Sequence, residues 1–129
     1  MLDGESVLAV IPCRGGSKRY PRKNVSTFRD RILFAWSWDA AKASQYVDRV
    51  VLSTEDSQIK AFAEAIGIEV IARPPELATD DALNEDVLRH ALQIYPAPWV
   101  VLLQPTSPLR NRDDIDICLE IARVTDSCL

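Results

Sequence analysis

The basic residues of this chain are concentrated in one stretch, from position 14 to position 31. That stretch holds seven of the fifteen Lys and Arg residues and one acid, Asp30, while the other eight basic residues are outnumbered by the other eighteen acids. An acidic chain with one concentrated basic segment is typical of a local anion site, because nucleic-acid surfaces usually carry a broad basic face. The pattern therefore predicts a small anionic ligand and no nucleic acid.

The segment RGGSKRYPRKN, residues 14–24, combines groups that bind phosphate. They are the backbone N–H groups around Gly15 and Gly16, the Ser17 hydroxyl, and the cations Arg14, Lys18 and Lys23. Glycines let the backbone approach a ligand closely, arginine grips two oxygens, and lysine acts as a point charge. The spacing of these residues matches neither the Walker A pattern GxxxxGK[ST] nor the dinucleotide-binding pattern GxGxxG. The alternative to a phosphate site is a basic surface loop that is simply solvated.

Two further segments carry polar groups next to apolar runs. Arg73 precedes a pair of prolines that fix an extended path, and its guanidinium can donate to a carbonyl oxygen and a ring nitrogen of a ligand. Asn84 is suited to cap the helix that follows it. Gln104 ends an apolar strand. Thr106 lies between two prolines, and it either contacts a ligand or only helps to form the turn.

The elements that position these groups alternate along the chain. Four apolar runs predict buried strands at residues 7–11, 49–53, 69–72 and 99–104. Helical spacing predicts helices carrying Ile59–Ile66, Leu88–Tyr95 and Ile115–Ala122, with Gly67 ending the first, and a less regular helix over residues 32–44. This order indicates a parallel sheet covered on both faces, with ligands at the carboxyl ends of its strands. Residues 12–31, 72–86 and 104–112 should meet at that edge.

The segments VIPCRGGSKRYPRKN and LLQPTSPLR resemble the motifs of acylneuraminate cytidylyltransferases. The departures are Cys13, where the family usually has alanine, and Tyr20, where it has an aliphatic residue. The resemblance runs over nearly all 129 residues. It implies the N-terminal part of a three-layer α/β/α, Rossmann-like nucleotide-diphospho-sugar transferase fold with a mainly parallel sheet, ending after the fourth β/α unit. Residues 1–129 would form a single nucleotide-binding domain, with the C-terminal portion of the family fold absent.

The resemblance also implies an activity. Members transfer CMP from CTP to a nonulosonic, sialic-type sugar acid and release pyrophosphate, for glycan synthesis such as that of lipopolysaccharide or capsule. Related Kdo cytidylyltransferases have a different loop, without Gly-Gly-Ser-Lys. Two alternatives stay open: a CTP-binding module without turnover, and a sibling enzyme for another keto-sugar acid such as pseudaminate, legionaminate or Kdo.

Residue roles follow from the resemblance by position. Arg14 and Lys23 would act on the triphosphate as catalytic residues. The nucleotide and the sugar acid would be bound by Gly15, Gly16, Ser17, Lys18, Asn24, Arg73, Ala82, Asn84, Gln104 and Thr106. Mg²⁺ is implied as cofactor, with its carboxylate ligands beyond residue 129 and none within this chain. The full-length enzyme is expected to be a homodimer.

The composition of the chain limits the classes of protein to which it can belong. Hydrophobic residues make up 47% and charged residues 26%, as in ordinary globular proteins. No apolar run reaches the roughly 20 residues that cross a bilayer, and the first residues lack the pattern of a signal peptide. The sequence therefore predicts a cytoplasmic protein that does not bind membranes.

Overall fold

The computed structural model describes residues 1–13, 27–28, 31–77, 84–104 and 112–125. Within these ranges the main sheet has four parallel strands, β1 (Val7–Pro12), β4 (Arg49–Thr54), β5 (Glu69–Ala72) and β6 (Trp99–Leu102). Their order in the sheet is β5-β4-β1-β6. Two short antiparallel strands, β2 (Thr27–Phe28) and β3 (Arg31–Ile32), form a separate pair that the sequence did not predict.

Four helices follow the strands in the described residues. They are α1 (Leu33–Ala43), α2 (Ser57–Ala65), α3 (Asn84–Ile94) and α4 (Arg112–Thr125), and a short 3-10 turn spans Pro75–Leu77. Each predicted strand and helix is present. The strand over residues 69–72 has the predicted bounds, and the bounds of the other strands differ by at most two residues. Helix α3 begins four residues before Leu88, and α4 extends three residues beyond the predicted span at each end. The fourth strand, for example, ends at Leu102 and not at Gln104.

The side chains of β1 alternate between two apolar layers. Ala9 and Ile11 pack in the layer that also contains buried residues of α1, α2 and α4, whereas Leu8 and Val10 pack in the layer beneath α3. A strand that is buried on both faces reads as a continuous apolar run, as β1 does. The sheet lies between two layers of helices, and the expected α/β/α arrangement is confirmed.

Helix α2 has defined ends. The Asp56 carboxylate accepts the backbone N–H groups of Gln58 and Ile59 at 2.8 and 3.1 Å, as an N-cap does. At the other end the Ile68 N–H donates to the Ala63 carbonyl at 3.0 Å, around Gly67 with φ of +92°. This is the Schellman arrangement, and the prediction that Gly67 ends the helix is confirmed.

The predicted apolar faces are only partly buried. On α2, Ile59 and Ala63 are buried, but Phe62 and Ile66 are exposed. On α1 the buried residues include Phe34, Ala35 and Ala41, and Trp36 is half-buried. In the described part of the chain, the structure contains no helix of the length and apolar character that a membrane crossing requires.

Candidate functional site

The strand order reverses direction beside β1. The chain moves from β1 to β4 and β5 on one side, and then returns to place β6 on the other side. In open parallel sheets, ligands bind outside the carboxyl ends of the strands at this reversal point. The end of β1, at Pro12 and Cys13, and the end of β6, before Gln104, therefore flank the expected crevice.

Three strand ends are connected through Ser53, which is fully buried near the end of β4. The Ser53 carbonyl accepts the Cys13 backbone N–H at 2.9 Å and Nη2 of Arg73 at 3.0 Å. The Ser53 hydroxyl accepts Nε of Arg73 at 3.1 Å. The Arg73 backbone N–H donates to the Thr54 carbonyl at 2.9 Å, so β1, β4 and β5 end against one another.

The guanidinium of Arg73 lies inside the protein, because this residue is only 5% exposed. A third bond runs from Nη1 to the Leu77 carbonyl at 3.4 Å and links the side chain to the 3-10 turn. A buried cation is tolerated only when hydrogen bonds replace the water that it loses. Arg73 is therefore a firmly held cation at the edge of the sheet where the crevice is expected.

Cys13 is a buried thiol at the same junction. Burial raises its pKa well above the ordinary range, Arg73 opposes that shift, and Glu55 adds to it. The thiol therefore favours its protonated form in the folded protein.

Gln104 is half-buried just after β6. Its backbone carbonyl accepts the hydroxyl of Ser37, a fully buried residue of α1, at 3.3 Å. The neighbouring Leu103 N–H donates to the Val10 carbonyl at 2.9 Å and continues the pairing with β1. Gln104 is thus anchored one strand away from Cys13, at the same edge of the sheet.

Asn84 is the first residue of α3 and is exposed. The helix therefore begins at Asn84 itself, whereas an N-cap residue precedes the first helical residue. The structure therefore brings Arg73 and Gln104 to one edge and places Asn84 at the start of a helix. The other predicted site residues lie outside the described residues: Arg14, Gly15, Gly16, Ser17, Lys18, Lys23, Asn24, Ala82 and Thr106.

Within the described ranges, no three His, Cys, Asp or Glu residues are grouped closely enough to hold a metal ion. The described residues thus do not fit a Mg²⁺ site of their own. His90 is half-buried, and its Nδ1 has no hydrogen-bond partner among them.

Sequence reasoning missed Ser53. It had assigned this serine only as the last residue of a strand, yet the structure makes it the common acceptor for Cys13 and Arg73. A small polar residue that ends a run of Val50, Val51 and Leu52 is the available signal, because a buried hydroxyl needs a hydrogen-bond partner. Nothing in the sequence alone identifies that partner as Arg73.

Comparison with known proteins gives consistent results. The cytidylyltransferase family pattern matches residues 8–123. An N-acylneuraminate cytidylyltransferase from Escherichia coli is 40% identical over 110 residues, which are 84% of this chain and 26% of that protein. A pseudaminic acid cytidylyltransferase from Campylobacter jejuni is 37% identical over 112 residues, which are 82% of this chain and 48% of that protein.

The fold has a solved counterpart. The structure of CMP:2-keto-3-deoxy-manno-octonic acid synthetase complexed with CTP superposes with a TM-score of 0.82. The superposition covers 94% of this chain and 48% of that protein, and the sequence identity is 23%. This likeness shows the Rossmann-like nucleotidyltransferase fold. The chain spans between about a quarter and about a half of the length of these proteins.

Proposed function

The chain belongs to the cytidylyltransferase family, and we propose that residues 1–129 form the nucleotide-binding part of an enzyme that transfers CMP from CTP to a nonulosonic acid. One observation carries the proposal. The basic segment that follows Cys13 begins at the junction where Arg73 is held, beside the strand that leads to Gln104. The segments proposed to contact the triphosphate, the base and the sugar acid therefore begin at one edge of the sheet.

The proposed reaction is an in-line displacement at phosphorus. A hydroxyl oxygen of the sugar acid forms a bond to the α-phosphorus of CTP, and the bond from that phosphorus to the bridging oxygen of the β-phosphate breaks. The hydroxyl proton passes to solvent, and pyrophosphate leaves with the added negative charge. Catalysis of this kind depends mostly on positioning and on neutralising charge.

The basic segment supplies that neutralisation in the proposal. Arg14 and Lys23 stabilise the charge that builds up on the leaving pyrophosphate, and Gly15, Gly16, Ser17 and Lys18 hold the rest of the triphosphate. Cations that are fixed before the reaction stabilise the transition state more than the ground state, because the charge there is larger.

The remaining contacts select the two substrates. Arg73, with Ala82 and Asn84, is proposed to contact the cytosine, and Asn24 another part of the nucleotide. Gln104 and Thr106 are proposed to face the sugar acid. Relatives of this chain are named for neuraminate and for pseudaminic acid, so a sialic-type nine-carbon acid is the proposed class of acceptor.

Further parts of the proposal concern the whole enzyme. Mg²⁺ would supply additional neutralisation of the phosphates when it is bound. The described residues do not form a site for it. A homodimer, a cytoplasmic location and a role in the synthesis of surface glycans complete the proposal.

The chain spans less than half of the length of these relatives, which leaves a second candidate function open. It covers 26% of one relative and 48% of another, so residues needed for turnover can lie in the remainder of such proteins. In this alternative, residues 1–129 bind CTP but do not transfer CMP.

Two measurements test the proposal. Calorimetric titration of the 129-residue chain with CTP, UTP and ATP should show tightest binding of CTP, and equal affinities would reduce the site to a general anion site. An assay of pyrophosphate release with N-acetylneuraminate, pseudaminate, legionaminate or Kdo then separates the functions. Release with one nine-carbon acid supports the transferase, whereas selective CTP binding without release supports the binding module.

A further inference from the structure

Ser53 holds the Arg73 guanidinium by two groups at once. Its hydroxyl accepts Nε at 3.1 Å and its carbonyl accepts Nη2 at 3.0 Å. These two nitrogens lie on one side of the planar guanidinium, so paired acceptors on a single residue fix the plane of the group. The bond to Leu77 at 3.4 Å is longer and constrains that plane less.

The choice of serine at position 53 has a physical reason. The preceding residues of β4, Val50, Val51 and Leu52, are apolar and buried, and Ser53 is also fully buried. Valine or alanine here would keep the backbone acceptor but remove the acceptor for Nε of Arg73. A buried N–H of a charged group without a partner is strongly unfavourable.

A side chain that recognises a nucleobase must be held in a precise orientation. A recognition group has to be held to about 0.5 Å and 10–20° by residues that lock its rotamer. Among the described contacts of Arg73, those with Ser53 supply this lock.

We propose that Ser53 is a positioning residue that fixes the plane of Arg73 and so determines the preference of the site for cytosine over uracil. The proposal rests on the proposed function, in which Arg73 contacts the base. Uracil presents an N–H where cytosine presents a bare ring nitrogen, so an arginine in a fixed orientation distinguishes the two, whereas one free to rotate adapts to either.

The test compares Ser53→Ala with Thr54→Val in the 129-residue chain. Thr54 is the adjacent buried residue; its side chain accepts the Asp56 N–H at 3.1 Å, and its contact with Arg73 is made through its carbonyl. The readouts are the dissociation constants of CTP, UTP and inorganic pyrophosphate, and the NMR signal of the Arg73 Nε–H.

In Ser53→Ala the ratio of the UTP to the CTP dissociation constant should fall about tenfold, equivalent to about 1.4 kcal/mol. Pyrophosphate affinity should stay within about twofold, because the Ser53 carbonyl still holds the start of the basic segment. The Nε–H signal should lose its protection from exchange. Thr54→Val should keep both the ratio and the protected signal. If Ser53→Ala does not fold, Ser53→Cys, nearly isosteric but a weak acceptor, should lower the ratio in the same direction.

An unchanged ratio in the Ser53 variant overturns the proposal, as does an equal loss of affinity for CTP, UTP and pyrophosphate, which would indicate a general structural role. If the unmodified chain itself shows no preference for CTP, the proposed function fails and the specificity claim fails with it. A protected Nε–H signal that survives Ser53→Ala would separately overturn the positioning of Arg73.

Discussion

The Cys13 backbone N–H and the Arg73 guanidinium share one acceptor, the Ser53 carbonyl oxygen, at 2.9 and 3.0 Å. Cys13 precedes the basic segment, and Arg73 begins the segment that leads to the 3-10 turn. Two stretches that lie about 60 residues apart in the chain therefore start from one fixed point, as expected for parallel strands that end at a common edge.

Replacing Arg73 by Met should destabilise the fold by about 1–3 kcal/mol, because the Ser53 hydroxyl and the Leu77 carbonyl lose a charged donor. Urea unfolding followed by circular dichroism measures the change. Arg89→Met is the matched control, since its side chain is 71% exposed and its ion pair with Asp86 spans 3.9 Å. It should change stability by less than about 0.5 kcal/mol. Equal effects of the two substitutions would contradict the buried role of Arg73.

The sequence predicted the frame of the fold because apolar periodicity is a local signal. The runs at Val7 and Arg49 became β1 and β4, and the glycine expected to end α2 has the positive φ that such a cap uses. The same reasoning failed for Phe62, which has helical core spacing but is 45% exposed. Spacing identifies a face, whereas burial also requires a partner element to cover it.

The candidate site was less predictable. Gln104 at the end of an apolar strand was recognised from its position, and Arg73 from the prolines that follow it. The buried setting of Arg73 was not predicted, because its bonds to Ser53 span 20 residues and depend on the pairing of β4 with β5. Side-chain contacts of this kind arise from strand register, which composition and motif spacing do not specify.

Gly67→Ala should destabilise the chain by about 1–2 kcal/mol, because Gly67 has a φ of +92° that residues with a Cβ rarely adopt. A Cβ built there would meet no atom within 4 Å, so the effect comes from the backbone and not from a clash. Thermal unfolding measures it. Gly67→Asn is the comparison and should be less destabilising, since asparagine tolerates this conformation better. If alanine and asparagine are equally harmful, the backbone explanation is wrong.

Asp48 should make stability depend on acid pH. Its pKa is lowered mainly by the Val7 N–H, which donates to its carboxylate at 2.8 Å. Burial opposes this shift, and the N-terminal ammonium adds to it. A carboxyl with a lower pKa in the folded state stabilises above its unfolded pKa, about 3.9, and loses this contribution as pH falls through the folded value.

Asp48→Asn should therefore lower the melting temperature at pH 7 more than at pH 3. The test is to measure the melting temperatures of the unmodified chain and of Asp48→Asn at pH 3 and pH 7. A difference that is the same at pH 3 and pH 7 would mean that the charge of Asp48 makes no contribution.

The two thiols in the described part of the chain should react at different rates in the folded protein. Cys13 is buried and its pKa is raised, whereas Cys118 on α4 is half-buried. Because the thiolate is the reactive form, iodoacetamide should label Cys118 faster, and the difference should disappear in urea. Mass spectrometry of the labelled peptides gives the two rates. Faster labelling of Cys13 in the native protein would show that the junction with Ser53 opens readily.

Lys23→Ala tests the phosphate role of the basic segment. Loss of one charge-assisted bond should weaken CTP binding by about 1.5–3 kcal/mol, which is roughly a ten- to hundredfold rise in the dissociation constant. Lys60→Ala on α2 is the control, because Lys60 is exposed and pairs only loosely with Glu64 at 3.9 Å. If net charge alone attracted the nucleotide, both variants would lose affinity alike and the loss would vanish at high salt, because screening removes long-range attraction first. A direct contact predicts instead that only Lys23→Ala binds CTP weakly and that the deficit persists in salt. Unchanged CTP affinity in Lys23→Ala would remove Lys23 from the proposed site.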